Sequence, residues 1–171
     1  MKTFVALLSL LLLSGCLGMP DKVTPVKPFN VERYLGTWYE IARLDHSFER
    51  GLSNITANYS LREDGSIRVI NRGYSVEKQA WKEAEGKARF VDDEQQGYLK
   101  VSFFGPFYGS YIVFGLDQQD YRYAFISGPD TSYLWLLARS PDPGQPVIDE
   151  FIREAGARGF DTDQLIFVEH D

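Results

Sequence analysis

The sequence predicts an all-β domain: an eight-stranded antiparallel up-and-down β-barrel, followed by one C-terminal α-helix and a short final strand. Three observations predict it. From Phe29 onward the chain alternates between apolar and polar residues in short runs. Turn-forming residues separate these runs at regular spacing, which is the signature of antiparallel sheet. After Arg139 the apolar period lengthens to that of a helix.

The expected strands cover residues 37–44, 54–62, 66–74, 84–91, 98–104, 110–117, 121–127 and 133–139. The clearest is Glu83 to Phe90. There Glu83, Glu85, Lys87 and Arg89 share one face, while Ala84, Gly86, Ala88 and Phe90 share the other. A period of two sends the charges to water and the small residues inward. Glu63-Asp64-Gly65 supplies a tight hairpin, since Asp-Gly tolerates positive φ. The breaker segment Ser140 to Pro146 ends the strand region. Val147, Ile148, Phe151, Ile152 and Ala155 then recur at helical spacing, and Gly156 and Gly159 can end that helix. One apolar stripe needs one surface, which the barrel wall provides. Leu165 to Val168 forms the last short strand.

A barrel of eight strands is just wide enough to be filled by its own side chains or to hold one small ligand. Small inward residues favour a cavity, and composition alone leaves the filled barrel open.

The first 15 residues read as a signal peptide and not as part of the domain. Lys2 gives a positive start, and Phe4 to Leu13 is an apolar run too short for a mature transmembrane helix. It ends at Leu13-Ser14-Gly15-Cys16, which resembles the lipobox of bacterial lipoproteins. By that resemblance Cys16 carries the lipid anchor. Several acyl chains, at about 0.8 kcal/mol per buried methylene, hold a protein stably where one does not. Cys16 is the single cysteine, so no internal disulfide is expected. Residue 17 is Leu and not Asp, which by the same resemblance points to the outer membrane. Residues 16–28 contain Pro20, Pro25 and Pro28 and read as a lipidated tether, leaving 29–171 as the domain.

Without Lys2 the mature chain has 17 basic and 24 acidic side chains, a net charge of −7. Such a balance argues against nucleic acid as a partner and against an electrostatic hold on anionic lipid. The two histidines, His46 and His170, lack ligand-spaced neighbours, so neither a metal nor a cofactor is called for.

Gly36-Thr37-Trp38-Tyr39-Glu40-Ile41-Ala42-Arg43 resembles the first signature of the lipocalins, Gly-x-Trp on the first strand. Asp120-Tyr121 is similar to their second signature, and Arg139 matches the third. The order and spacing of all three fit across residues 29–171. Ser102-Phe-Phe-Gly-Pro-Phe-Tyr-Gly109, together with the lipobox, resembles the bacterial outer-membrane lipoprotein branch of that family. The resemblance implies an eight-stranded calyx, closed at one end, that binds a fatty acid or lysophospholipid. It hints at a homodimer, and no sequence feature decides that point.

On this pattern Trp38 and Arg139 form the barrel base, the guanidinium lying across the indole. Strand parity nominates the pocket. Trp135 and Leu137 share parity with Arg139, Tyr111 and Val113 face in from the sixth strand, and Ala42 lies above Trp38 on the first. Tyr59 and Asn71 align with cavity positions of a related lipid-binding branch. An inward Asn71 needs a head group, Tyr59 or water as a partner. The loops 45–53, 75–81, 105–109 and 128–132 fall at the open mouth, bringing Phe48, Trp81, Phe107 and Tyr108 to the entrance, either exposed or folded onto the barrel.

Catalysis would require an activated nucleophile, an acid–base pair or a metal. Only His46, near Asp45 and Glu49, offers such a grouping, and a charged mouth loop accounts for it equally well. The expected function is therefore a lipid-binding or lipid-carrying lipoprotein. The alternatives are an envelope structural or interaction lipoprotein with a filled barrel and no physiological ligand, and a carrier of a pigment.

Overall fold

Alternation along the sequence becomes a closed antiparallel barrel in the computed structural model, which describes residues 17–171. The signal segment 1–15 and Cys16 lie outside the described residues. A one-turn helix α1 (Val31–Tyr34) precedes β1 (Gly36–Arg43), β2 (Leu52–Leu61), β3 (Ile67–Ser75), β4 (Ala80–Phe90) and β5 (Tyr98–Phe104). Then come β6 (Phe107–Leu116), β7 (Tyr123–Ser127), β8 (Leu134–Ala138), the helix α2 (Gln145–Ala157) and β9 (Ile166–Phe167). Each of β1 to β7 pairs with its successor, and β1 also pairs with β8, which closes the barrel and leaves no free edge among these eight strands. The short β9 adds to β1 on the outside at Ala42 and Arg43.

Several boundaries differ from expectation. β4 begins at Ala80 and β6 at Phe107, so strands extend further into the mouth than the alternation showed. β7 starts later, at Tyr123, because Tyr121 adopts a left-handed φ of 54° and Arg122 belongs to the preceding turn, tied to Asp117. The Asp64-Gly65 turn has the expected positive φ at Gly65, 75°.

Two apolar clusters share the wall. One fills the lower barrel around Trp38, Tyr34 and Phe29. The other lies outside, where α2 covers Ile41, Ile112, Phe125 and Leu136. Phe151 and Ala155, from the helical stripe, are fully buried there. Burying a side chain the size of Phe151 contributes about 1.5–3 kcal/mol.

Residues 17–28 differ from a free tether. Val23 is buried in the outer cluster, and Val26 bridges β6 and the residue before β5, its N–H donating to the Val113 carbonyl (2.8 Å) and its carbonyl accepting from the Gly97 N–H (3.0 Å). The prolines that suggested a linker restrict the backbone to an extended form, and that form docks along the wall.

Candidate functional site

The closed end is built first, from chain-local contacts. Asn30 caps α1 by accepting from the Arg33 N–H, and this turn presents the Tyr34 carbonyl to the Trp38 indole N–H at 2.8 Å. Arg139 lies over the fully buried Trp38 ring, with its guanidinium carbon 3.9 Å from the ring centroid. Its two terminal nitrogens donate to the carbonyls of Thr37 (2.9 Å), Arg33 (2.8 Å) and Leu35 (2.9 Å). One side chain thus ties α1 to β1 while stacking on the indole.

Above the base the barrel is open. A cavity of about 610 Å³ occupies its upper interior, inside the range of small-molecule sites. The side chains therefore do not fill this barrel. Its wall is mainly aliphatic and aromatic, with Ala57, Ala84 and Ala88 giving width. Gly86 instead makes room for a neighbour, since a Cβ there would lie 2.8 Å from the Phe103 ring.

Of the sequence candidates, Tyr59, Asn71, Tyr111, Trp135 and Leu137 line this cavity. Asn71 does not bond Tyr59. The Tyr59 hydroxyl pairs with that of Tyr111 (2.9 Å), which pairs with that of Tyr34 (2.6 Å). Burial pushes all three phenols above their ordinary range, so this chain of hydroxyls stays neutral and polar at the cavity floor.

Two candidates are corrected. Ala42 faces outward into the cluster beneath α2. The cause is a register shift between Glu40 and Ala42: Glu40 sits opposite Leu137, but Ala42 sits opposite Leu136, so one extra residue reverses the parity. Val113 does face the interior, yet it is fully buried in the lower cluster against Val26 and Gly97 and does not line the cavity.

That bulge also produces a feature the sequence reading missed. Glu40 faces the cavity, and Arg43 turns inward behind it. Arg43 donates to a Glu40 carboxylate oxygen (3.2 Å) and to the Glu49 carbonyl (3.1 Å). The Trp135 indole N–H donates to the Glu49 carboxylate at 3.1 Å. Glu40, Arg43 and Glu49 are all buried. Burial, and then the nearby Glu49 carboxylate, hold the Glu40 carboxyl well above its usual range, against the pull of Arg43. The available signal was the parity that Glu40 shares with Trp38.

His46 does not form an acid–base pair. Its ring stacks between Phe48 and Tyr133, at centroid distances of 5.2 and 4.6 Å. Asp45 is engaged by Arg50, and the buried Nε2 of His46 has no hydrogen-bond partner among the described residues. Burial lowers its pKa, favouring a neutral imidazole.

At the mouth the aromatics remain exposed. Phe104 and Phe107 are 83% and 77% accessible, and Phe48 and Trp81 are also exposed. Tyr108 is only half-buried, with Lys100 above its ring.

Comparisons with known proteins agree with this architecture. The family model described as "Lipocalin-like domain" matches residues 29–170. The chain is 60% identical to "Outer membrane lipoprotein Blc" of Vibrio cholerae serotype O1, over 99% of each chain. It is 51% identical to the protein of the same name from Escherichia coli strain K12, over 88% of this chain and 84% of that one. It is also 35% identical to "Temperature-induced lipocalin-1" of Arabidopsis thaliana, over 82% and 78%. Among solved structures, insecticyanin of the tobacco hornworm Manduca sexta shares the fold, with a TM-score of 0.72 at 21% identity, covering 90% of this chain and 87% of that one. The chain belongs to the lipocalin family, and it is a binding protein, not an enzyme.

Proposed function

We propose that this protein is a lipid-anchored lipoprotein of the outer membrane that holds or carries a fatty acid or lysophospholipid in its barrel. The observation that carries the reading is the cavity: about 610 Å³, apolar along its wall and open at one end. A single acyl chain fits a cup of this kind, because its methylenes gain from leaving water and its charged head can remain at the wet mouth. The polar groups agree with that placement. The neutral phenols lie at the floor, while Glu40, Glu49 and the Trp135–Glu49 bond lie higher on the wall. Cys16 in its lipobox and the relatives named as outer membrane lipoproteins support the location.

The test is extraction of the purified domain, residues 17–171, followed by mass spectrometry of what is released. The reading expects one single-chain lipid per barrel. An empty barrel that also takes up no added fatty acid, or one that retains a coloured ligand, would oppose it.

A further inference from the structure

We propose that the open end of the barrel rests on the bilayer, with the exposed aromatic residues of the rim inserted among the lipids. This rests on the reading of Cys16 as acylated, and it adds an orientation and a contact surface to that reading.

Two independent observations coincide at one end of the molecule. The first is the path of the chain that follows the anchor. Gly18 packs so closely against the loop between β7 and β8 that a Cβ there would lie 2.6 Å from the Pro129 carbonyl oxygen. Pro129 itself lines the cavity. Met19 to Lys22 border the same loop, and the segment then descends the wall to Val26 and the closed base. Cys16 precedes Leu17 directly in sequence, so acyl chains attached to it are tethered two residues from Gly18 and this loop. With residues 19–28 docked on the barrel, there is little slack to turn the mouth away from an anchored membrane.

The second observation is the rim. Phe104 and Phe107 project from the β5–β6 turn, Phe48 from the β1–β2 loop and Trp81 from the start of β4, all at the open end. Val76, in the β3–β4 turn, is exposed beside them. Exposed aromatic side chains cluster where a protein meets an interface, since each exposed ring costs free energy in water and gains it in the acyl boundary. At the closed end the turns carry Glu63, Asp64, Asp92 and Glu94 instead. The net negative charge of the mature chain makes this contact one of apolar insertion, not attraction to anionic lipid. A rim placed in the acyl boundary gives a single-chain lipid a path into the cavity that avoids bulk water.

The full acylated chain, reconstituted in phosphatidylcholine vesicles containing nitroxide-labelled lipid, provides the test. A polarity-sensitive fluorophore is placed by Phe104→Cys at the mouth, or by Glu63→Cys at the closed end. Mass spectrometry of the same preparation reports acylation of Cys16, so failure of the anchor is seen separately from failure of the orientation. The expected result is a blue shift and nitroxide quenching at position 104, with neither at 63. If Phe104→Cys folds poorly, tryptophan fluorescence of a Trp135→Phe chain replaces it: the same lipid is expected to quench the part from exposed Trp81 and to leave that of the buried Trp38. A label at 104 that stays in water on vesicles overturns the proposal. So does one that is shielded but unreached by the nitroxide lipid, which would place a second copy of the chain on this rim.

Discussion

Arg139 covers Trp38: the guanidinium carbon stands 3.9 Å from the centre of an indole that no solvent reaches. The same side chain donates to three carbonyls between Arg33 and Thr37, which join α1 to the start of β1. Replacing Arg139 by Ala removes the cation–π contact, the packing of its stem and the partners of those carbonyls. Stability should fall by about 1–3 kcal/mol. Arg139→Lys should recover only part, because an ammonium lacks the planar fork. Denaturant midpoints of the three proteins measure this, and equal midpoints for wild type and Arg139→Ala would show that the base does not depend on the contact.

Glu40 predicts a pH dependence. Its folded pKa is raised, chiefly by burial and then by Glu49. Below the ordinary carboxylate range Glu40 is protonated in both folded and unfolded chains, and its stabilising proton is fully present. As pH rises, the unfolded chain gives up that proton first, so stability falls until the folded pKa is passed. Glu40→Gln should remove this fall. Unfolding free energies of wild type and variant across acid to mildly alkaline pH should diverge as pH rises, with the variant gaining. Parallel curves would show that Glu40 ionises as freely in the fold as in water.

Much of the architecture was legible in the sequence, and its misses have local causes. Glu83 to Phe90 alternates cleanly because β3 pairs with it without a register shift as far as Ala88, and β5 does the same from Lys87 to Phe90. Phe151 and Ala155 stood out because a helix on a barrel buries one stripe. Strict alternation carried through Ile41 puts Ala42 inside, but the bulge lies there and turns it outward. Val113 shows a different limit. An inward residue lines a cavity only if nothing covers it, and Val26 from a distant segment closes that region. The Glu40–Arg43–Glu49 group needs both the bulge and the fold of the 44–51 loop, which periodicity does not report.

Cys16→Ser tests the anchor. The variant should accumulate as an unprocessed precursor, without labelled fatty acid, because lipidation of the lipobox cysteine precedes cleavage. Metabolic labelling decides it, and label retained in the variant would place the acyl chains elsewhere.

Filling the cavity should separate binding from folding. Ala57 lies on the cavity wall, where space remains beyond its methyl group. Ala57→Phe should weaken binding of a long-chain fatty acid by about tenfold or more, equivalent to at least about 1.4 kcal/mol, while the melting temperature changes little. Unchanged affinity in a folded variant would mean that the acyl chain lies elsewhere.

The most direct test of the account is a titration of single-chain lipids, from eight to eighteen carbons, against residues 17–171, followed by Trp135 fluorescence. Trp135 lines the cavity and donates to Glu49, so an arriving chain changes its surroundings. Each added methylene should contribute up to about 0.8 kcal/mol, less the cost of ordering the chain. Affinity should climb with length and then level off once the chain meets the phenols of Tyr34, Tyr59 and Tyr111 at the floor. Trp135→Phe should remove most of the signal. Affinity that is flat across the series, or set by the head group alone, would contradict an acyl-chain cavity.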